Sequence, residues 1–287
     1  MDVSVGFFIF NRPDTTAKVF AAISAAKPRR LFVIADGPRN PEEQITCEAT
    51  RSVTAVITWE CDVRRLYSQE NLGCRRRISS GLDWIFEQTE SAIILEDDCL
   101  PHPSFFQYAA TLLVRYANNH QVTSICGSLL SPLGPSDSSY FFSRYCFIWG
   151  WATWARAWHH YSKDLDDWPD LRSTDWLLHR VNSRRELVYW KKYFDLVHSR
   201  AIDTWDYQWV YSQWKIDGLS IVPSHNLVEN IGFDERATHT KSPNALANRP
   251  STALPFPLCH PPLVSVETER EKRLFEQIVS PRRPFWK

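Results

Sequence analysis

From residue 3 to about 127, short apolar runs alternate with longer amphipathic segments, and this alternation constrains the fold more than any other feature of the chain. An apolar run of strand length followed by a segment of helical period is the repeating unit of a mostly parallel sheet covered by helices. The runs predict strands at Val3–Phe10, Arg30–Ala35, Arg64–Ser68, Ala92–Leu95 and Val122–Cys126. Between them helices are expected at about Asp14–Ala25, Pro41–Thr54, Arg75–Glu87 and Pro103–Asn118. The second opens on Pro41-Glu42-Glu43, where a missing N–H costs nothing and negative charge meets the positive end of the helix dipole. In open sheets of this kind ligands sit beyond the carboxyl ends of the strands. Those ends read FNRPD (10–14), ADGPR (35–39), QENLG (69–73) and LEDDCLP (95–101), each rich in turn formers and polar groups.

A Pro/Gly/Ser-rich stretch from Ser131 to Ser139 separates this region from a Trp-rich one, where helices are expected near Gly150–His159 and Asp206–Lys215. Beyond Lys241 the sequence is proline-rich with little periodicity, as expected of irregular chain wrapping the domain. The expected organisation is an α/β subdomain over residues 1–130, a second part of the same fold over 131–240, and an irregular tail over 241–287.

Lys plus Arg and Asp plus Glu number 33 each, so no global field favours nucleic acid, and any anion site must be built locally. The seven cysteines are dispersed, odd in number and without a C-x-x-C pair, which suits reduced, mostly buried thiols in a cytosolic protein. MDVSVGFFIF lacks the basic n-region and cleavage site of a secretory signal, and no apolar run reaches the ~20 residues that span a bilayer. The expectation is a cytoplasmic protein, with peripheral attachment at the inner face of a membrane left open. Thirteen tryptophans, concentrated between Trp149 and Trp214, read either as a large aromatic core or as a carbohydrate-stacking surface.

Glu96-Asp97-Asp98 follows the apolar run Ala92–Leu95, which places three consecutive carboxylates where a buried strand leaves the sheet. Packing them without a counter-charge is unfavourable. Successive side chains on extended chain point to opposite faces, so the three cannot serve one ion equally. One can bind a hard divalent cation directly while a neighbour reaches a metal-bound water or a ribose hydroxyl. The bland alternative is an acidic turn satisfied by backbone N–H groups and nearby arginines.

At these residues the sequence resembles the GT-A glycosyltransferases. IILEDDCLPHPSFF (93–106) is similar to the strand, acidic triplet and helix of N-acetylglucosaminyltransferase I, and ENLGCRRRISSGLDWIFE (70–87) to the Asn-x-Gly loop and helix of family-2-like transferases. The resemblance covers roughly residues 3–130 in order and spacing. It implies a Rossmann-like, mostly parallel sheet flanked by helices, with residues 1–130 binding a nucleotide-sugar and 131–240 forming a Trp-rich acceptor side. It implies Asp98 as direct ligand to Mn²⁺ or Mg²⁺, supported by Glu96 and Asp97. A divalent ion bridging the diphosphate stabilises the charge left when the anomeric C–O bond breaks.

The resemblance extends to the other strand ends. Asp36 matches the position whose carboxylate accepts from uracil N3, although Asp-Gly is also an ordinary turn. Asn11-Arg12 occupies the place where the family contacts nucleotide or phosphate, and Asn71 belongs to the Asn-x-Gly loop. Arg75, Arg76 and Arg77 open a helix and fan through about 200°, so at most one or two can face the donor; Arg76 or Arg77 is favoured. The triple-Arg version departs from the family's more open pattern of small residues.

In the second half, Trp149 and Gly150 fall where the family has an aromatic, Gly-rich segment bordering donor sugar and acceptor, and Gly150 could admit a sugar close to backbone. Trp151, Trp154 and Trp158 recur at spacings of one buried helix face and are assigned to core. An inverting transfer needs a carboxylate base for the acceptor hydroxyl. Asp206 is the candidate by resemblance, with Asp203 in reserve; an ordinary helix cap is the competing reading of Asp206. In the loop Asn230–His239, the resemblance implies His239 as a second metal ligand and, less strongly, a role for Arg236.

The expected activity is metal-dependent hexosyl or N-acetylhexosaminyl transfer from a UDP-sugar to the hydroxyl of a glycan or lipid-linked glycan, as in polysaccharide biosynthesis. A nucleotidyltransferase shares the plan but calls for a Gly-rich basic loop after the first strand, which FNRPDTT lacks. A non-catalytic carbohydrate-binding protein explains the tryptophans but not the ordered acids.

Overall fold

The computed structural model describes residues 2–233 and 249–278. The strands and helices expected in the first half are all present, with their ends moved by at most about three residues: β1 (Ser4–Ile9), α1 (Pro13–Ala26), β2 (Arg30–Ala35), α2 (Pro41–Val53), β3 (Asp62–Tyr67), α3 (Gly73–Phe86), β4 (Ser91–Glu96), then a short β5 (Cys99–Pro101), α4 (Pro103–Arg115) and β6 (Val122–Cys126). The second half adds β7 (Tyr140–Ser143), β8 (Trp151–Trp154), α5 (Ala155–Trp158), α6 (Trp168–Arg172), α7 (Arg184–His198), α8 (Asp206–Lys215), β9 (Leu219–Pro223), β10 (Val228–Asn230) and α9 (Thr268–Ile278).

Eight strands form one sheet in the order β3-β2-β1-β4-β8-β6-β9-β7, and β5 pairs with β10 in a separate antiparallel ribbon. β3, β2, β1 and β4 run parallel, β8 lies antiparallel between β4 and β6, β9 is parallel to β6, and β7 closes the edge antiparallel to β9. The expected α/β class with a mostly parallel sheet stands, and β7, β8 and β9 extend the same sheet beyond residue 130.

Alternation along each strand feeds two cores. Phe8, Phe32 and Ile34 face α3 and the aromatic second half, and Val5, Phe7, Ile9, Leu31 and Val33 face α1 and α4. Local chemistry sets the helix starts: the Asn40 side chain accepts from the Glu43 N–H ahead of Pro41, and the His102 ring accepts from Ser104 N ahead of Pro103.

Two expectations need correction. Gly150–His159 is not a helix: Trp151–Trp154 is strand β8, bonded on both sides, and only Ala155–Trp158 turns helically. A spacing of three and four fits a helix face, but Thr153 and Trp154 sit comfortably on a pleated surface, and pairing with β4 and β6 decides the conformation. The tail, expected to be irregular, contains α9. Its Glu271, fully buried, accepts from Ser143 Oγ (2.9 Å), Arg144 N (2.6 Å), Arg144 Nε (2.9 Å) and Asn182 Nδ2 (2.8 Å), which fixes the helix to the end of β7.

Candidate active site

β1 and β4 are parallel neighbours with Phe8 opposite Glu96, so Phe10–Arg12 and Glu96–Asp98 leave the sheet side by side. One guanidinium nitrogen of Arg12 donates to Asp97 Oδ1 (2.6 Å) and to Asp98 Oδ2 (2.9 Å), and Phe10 N donates to Asp97 Oδ2 (3.1 Å). The counter-charge that the triplet requires is therefore Arg12, the residue expected to grip phosphate. Burial works against the Arg12 charge, but Asp98 and Asp97 outweigh it and hold the guanidinium protonated. One cation does not balance three acids. Burial, then Asp98 and Asp97, push Glu96 up to about 8, and burial, opposed by Arg12, pushes Asp97 up to about 6.

The β5–β10 ribbon folds a second segment over the triplet. Asn230 pairs with Cys99, and Ile231 N donates to Asp98 O (2.8 Å). At Gly232 a Cβ would overlap Asp98 Oδ2 and come within 2.8 Å of Arg12 Nη1, so only glycine brings backbone this close. Phe233 then meets Trp149 edge to face, with centroids 5.6 Å apart. His239 and Arg236 lie outside the described residues.

Asp36 stands at the end of β2, as expected, and the chain itself uses its carboxylate. Oδ1 accepts from Gly37 N and Leu72 N (both 2.9 Å), and Oδ2 from Asn71 Nδ2 and Gly73 N (both 3.1 Å). These fill the roughly four acceptor positions of a carboxylate. Uracil could bind it only by displacing one of them. Asn71 also donates to Gly37 O (2.8 Å), tying two loops together, and Asn11 donates to Glu43 Oε1 (2.9 Å), tying the end of β1 to the first turn of α2. Burial raises the Asp36 carboxyl above its ordinary value, against the pull of the Leu72, Gly37 and Gly73 N–H groups and Arg77.

The three arginines of α3 separate as helical geometry demands. Arg75 is buried on Asp164 (2.5 Å) and Lys163 O (2.8 Å). Arg76 is exposed and lines a cavity on the outer face of α3. Arg77 is buried, only 6 % exposed, with Nε and one terminal nitrogen lacking a hydrogen-bond partner. Burial lowers its pKa and Asp36 opposes that shift, which puts this guanidinium near the Asp36 lock.

Asp206 is the first residue of α8 and 7 % exposed. Trp205, not Asp206, holds the cap position, so the expected alternative of an ordinary cap does not apply. The Asp206 carboxylate accepts from Thr204 Oγ1 and from Tyr207 N (3.0 Å). Cys74, which the sequence reading did not single out, lies in the first turn of α3, and burial comes first in raising its thiol pKa, followed by Glu96, Asp206, Asp203 and Asp36. Geometry brings two of these acids to the residue before it: Asp36 Oδ2 accepts from Gly73 N (3.1 Å), and Asp203 Oδ2 lies 3.1 Å from where a Cβ on Gly73 would sit.

Gly150 adopts φ +64° with Val228 packed where its side chain would be. That packing and the left-handed backbone both require glycine here. Trp149 borders the site through Phe233, whereas Trp151, Trp154 and Trp158 are buried, as expected.

Among the described residues no group of three or more His, Cys, Asp or Glu side chains is arranged to enclose a metal. A divalent ion bound with a nucleotide needs only one or two protein carboxylates, the phosphates and water completing its oxygen shell. Glu96, Asp97 and Asp98 offer that hard-oxygen set, with a charge that Arg12 leaves uncompensated. No helix among the described residues is long and apolar enough to cross a membrane.

No protein-family model and no curated protein matches the sequence. Solved structures similar to this chain include the 4-diphosphocytidyl-2C-methyl-D-erythritol synthase of Anaerococcus prevotii, at 10 % identity and TM-score 0.36 over 68 % of this chain and 99 % of that one. The galactosyltransferase LgtC, solved with donor and acceptor sugar analogues, is similar at 11 % identity and TM-score 0.35 over 74 % and 70 %. A UDP-glucose pyrophosphorylase complexed with UDP-glucose is similar at 12 % identity and TM-score 0.29 over 50 % and 62 %. At these scores neither chemistry nor substrate transfers from them.

Proposed function

We propose that the chain is a glycosyltransferase that moves a hexosyl or N-acetylhexosaminyl group from a UDP-sugar to an acceptor hydroxyl with inversion, using Mn²⁺ or Mg²⁺. The observation that carries this reading is the acidic triplet at the end of β4, whose Asp97 and Asp98 share the single cation Arg12 beneath the Gly232 backbone, with Asp36 and Asp203 meeting at Gly73. Acids suited to a metal thereby stand at the carboxyl edge of a parallel sheet, the usual position for a ligand in such folds.

In this reading Asp98 would hold the ion, with Glu96 and Asp97 supporting it, and His239, outside the described residues, would add a ligand. When bound, the ion neutralises charge on the diphosphate leaving group. Arg77, buried with unpartnered donors, supplies positive charge and N–H groups toward the donor nucleotide, and suits that role better than the exposed Arg76. Asp36 and Asn71 shape the base pocket by fixing the two loops, and Asn11 and Arg12 set the edge beside β1. Asp206 takes the proton of the acceptor hydroxyl as that oxygen attacks the anomeric carbon opposite the leaving diphosphate. Trp149, held by Phe233, and Gly150 border donor sugar and acceptor.

Calorimetric titration of UDP, then of UDP-, GDP- and dTDP-sugars, into wild type and Asp98→Asn with and without Mn²⁺ tests the donor site. Metal-dependent UDP binding that falls at least tenfold in the variant is expected. No nucleotide binding under any metal condition would overturn the reading and leave glycan binding without transfer as the one to pursue.

A further inference from the structure

One face of α3 is not used by the site above. Leu72, Arg76, Ser79, Ser80 and Asp83 follow the i, i+4, i+7, i+8, i+11 stripe of a helix, and with Tyr161 and Lys163 they line a cavity of about 290 Å³. Arg75 and Arg77 point elsewhere, to Asp164 and toward Asp36. The side chains of Arg76 and Lys163 have no carboxylate partner among the described residues, although each neighbours a residue that does.

The rest of the lining is different in character. Asp83 accepts from Trp158 Nε1 (2.7 Å), and Ser80 Oγ donates to Arg77 O (3.3 Å), leaving acceptor capacity on both for hydroxyl groups. Tyr161 forms a fixed aromatic wall, one face stacked on Trp158 at 4.3 Å and 13°, its hydroxyl donating to Trp205 O (3.2 Å). Trp205 immediately precedes Asp206 in the chain. Tyr161 therefore links the cavity wall to the start of α8, where the proposed base stands.

Two cations without a carboxylate partner, a carboxylate, hydroxyls and an aromatic ring lining one cavity match a sugar that carries an acidic group. We propose that this cavity is an acceptor subsite for an anionic sugar, its phosphate or carboxylate held by Arg76 and Lys163 and its ring hydroxyls by Asp83 and Ser80. The assignment to the acceptor rests on the transferase reading; the preference for an anionic sugar rests on the cavity alone. Two cations against one acid leave one net positive charge. Charge-assisted bonds from Arg76 and Lys163 supply the selection against neutral sugars.

The test is a backbone-amide NMR titration of wild type and of the double variant Arg76→Ala/Lys163→Ala with glucose 6-phosphate, glucuronate and methyl glucoside, alongside calorimetry with UDP. Both replaced side chains are exposed and unpartnered, so the variant keeps its fold, checked by an unchanged melting temperature. The expected result is that glucose 6-phosphate or glucuronate shifts Arg76, Ser80, Asp83 and Lys163 in wild type. The double variant binds that probe at least tenfold more weakly, methyl glucoside leaves these amides unmoved, and UDP affinity is the same in both proteins. Whichever of the two acids binds more tightly names the acidic group. Equal probe affinity in the variant, or equal shifts with methyl glucoside, would overturn the proposal, and loss of UDP binding in the variant would reassign the cavity to the donor. Failure of UDP to bind wild type while the anionic-sugar shifts persist would remove the transferase reading and leave the cavity as a binding site.

Discussion

The carboxyl edge of β1, β2 and β4 and the aromatic block around Trp151 are both buried, by opposite means. At the edge, charged and polar groups are held by one another: Arg12 by Asp97 and Asp98, Asp36 by three backbone N–H groups and Asn71. In the block, ring meets ring: Trp151 lies against Trp158, Trp205 and Trp209, and Trp190 against Tyr145, Phe194 and Trp214. The block is held mainly by ring packing, with hydrogen bonds such as Trp158 Nε1 to Asp83 and Trp214 Nε1 to Arg144 O at its margins, whereas the edge has more acids than cations. Chemistry belongs where charge is left over. The block's contribution is to set the start of α8, because Trp205 stacks on Trp151 at 5.6 Å and so fixes the residue before Asp206.

Removing one ring from the block gives the largest expected loss. Trp209 is fully buried between Trp151 (5.8 Å) and Trp158 (5.2 Å), and Trp209→Ala should cost about 3–5 kcal/mol, read as a lower denaturant midpoint with an unchanged slope. A loss below about 1 kcal/mol would mean that these rings form a sugar-stacking surface and not a core.

The polar edge should respond less. Asp36→Asn keeps the shape but replaces one acceptor oxygen with an N–H donor, stranding either Gly37 N and Leu72 N or Gly73 N and the Asn71 amide. About 2 kcal/mol of stability should be lost, with hydrogen exchange rising first at residues 71–73. The sign with pH is also fixed. Since burial raises the Asp36 pKa in the fold, its contribution to stability is fully present below the unfolded value and declines as pH rises through the folded one. Asn does not titrate, so the gap between the two proteins should narrow as pH rises through that window. A constant gap would place the raised pKa elsewhere.

Much of the edge was legible because each strand of the first half ends in a different polar signature, and period-two burial followed by helical period leaves little choice of fold. Asp36 and the triplet could be located by position alone. Their partners could not, since Arg12 meets Asp97 and Asp98 across 85 or more residues of sequence, and nothing local chooses between that contact and a phosphate. The Trp151–Trp154 stretch misled for a related reason: large side chains at spacings of three and four suit a helix, and insertion between β4 and β6 overrides the pattern. Cys74 carried no motif at all. Its place beside Gly73, Asp36 and Asp203 follows only from tertiary packing. The stripe Arg76, Ser80, Asp83 was present in the sequence at helical spacing, but its partners Tyr161 and Lys163 lie about 80 residues further on.

The smallest effect on stability is expected where the edge is covered by the β10 loop, and there the change should appear in ligand binding. Gly232 has Asp98 Oδ2 and Arg12 Nη1 where a Cβ would stand, so Gly232→Ala must push the loop, the carboxylate or the guanidinium aside. The loop can swing outward with little lost burial, since Ile231 and Phe233 are only partly buried, so the melting temperature should hardly move. Displacing Asp98 should weaken metal-dependent UDP binding about tenfold, equivalent to about 1.4 kcal/mol. Titration of UDP with Mn²⁺ into both proteins separates the possibilities. Unchanged affinity would mean that the backbone at Gly232 does not press on Asp98 in solution, and the contrast between a charge-bearing edge and an inert block would then stop at β4.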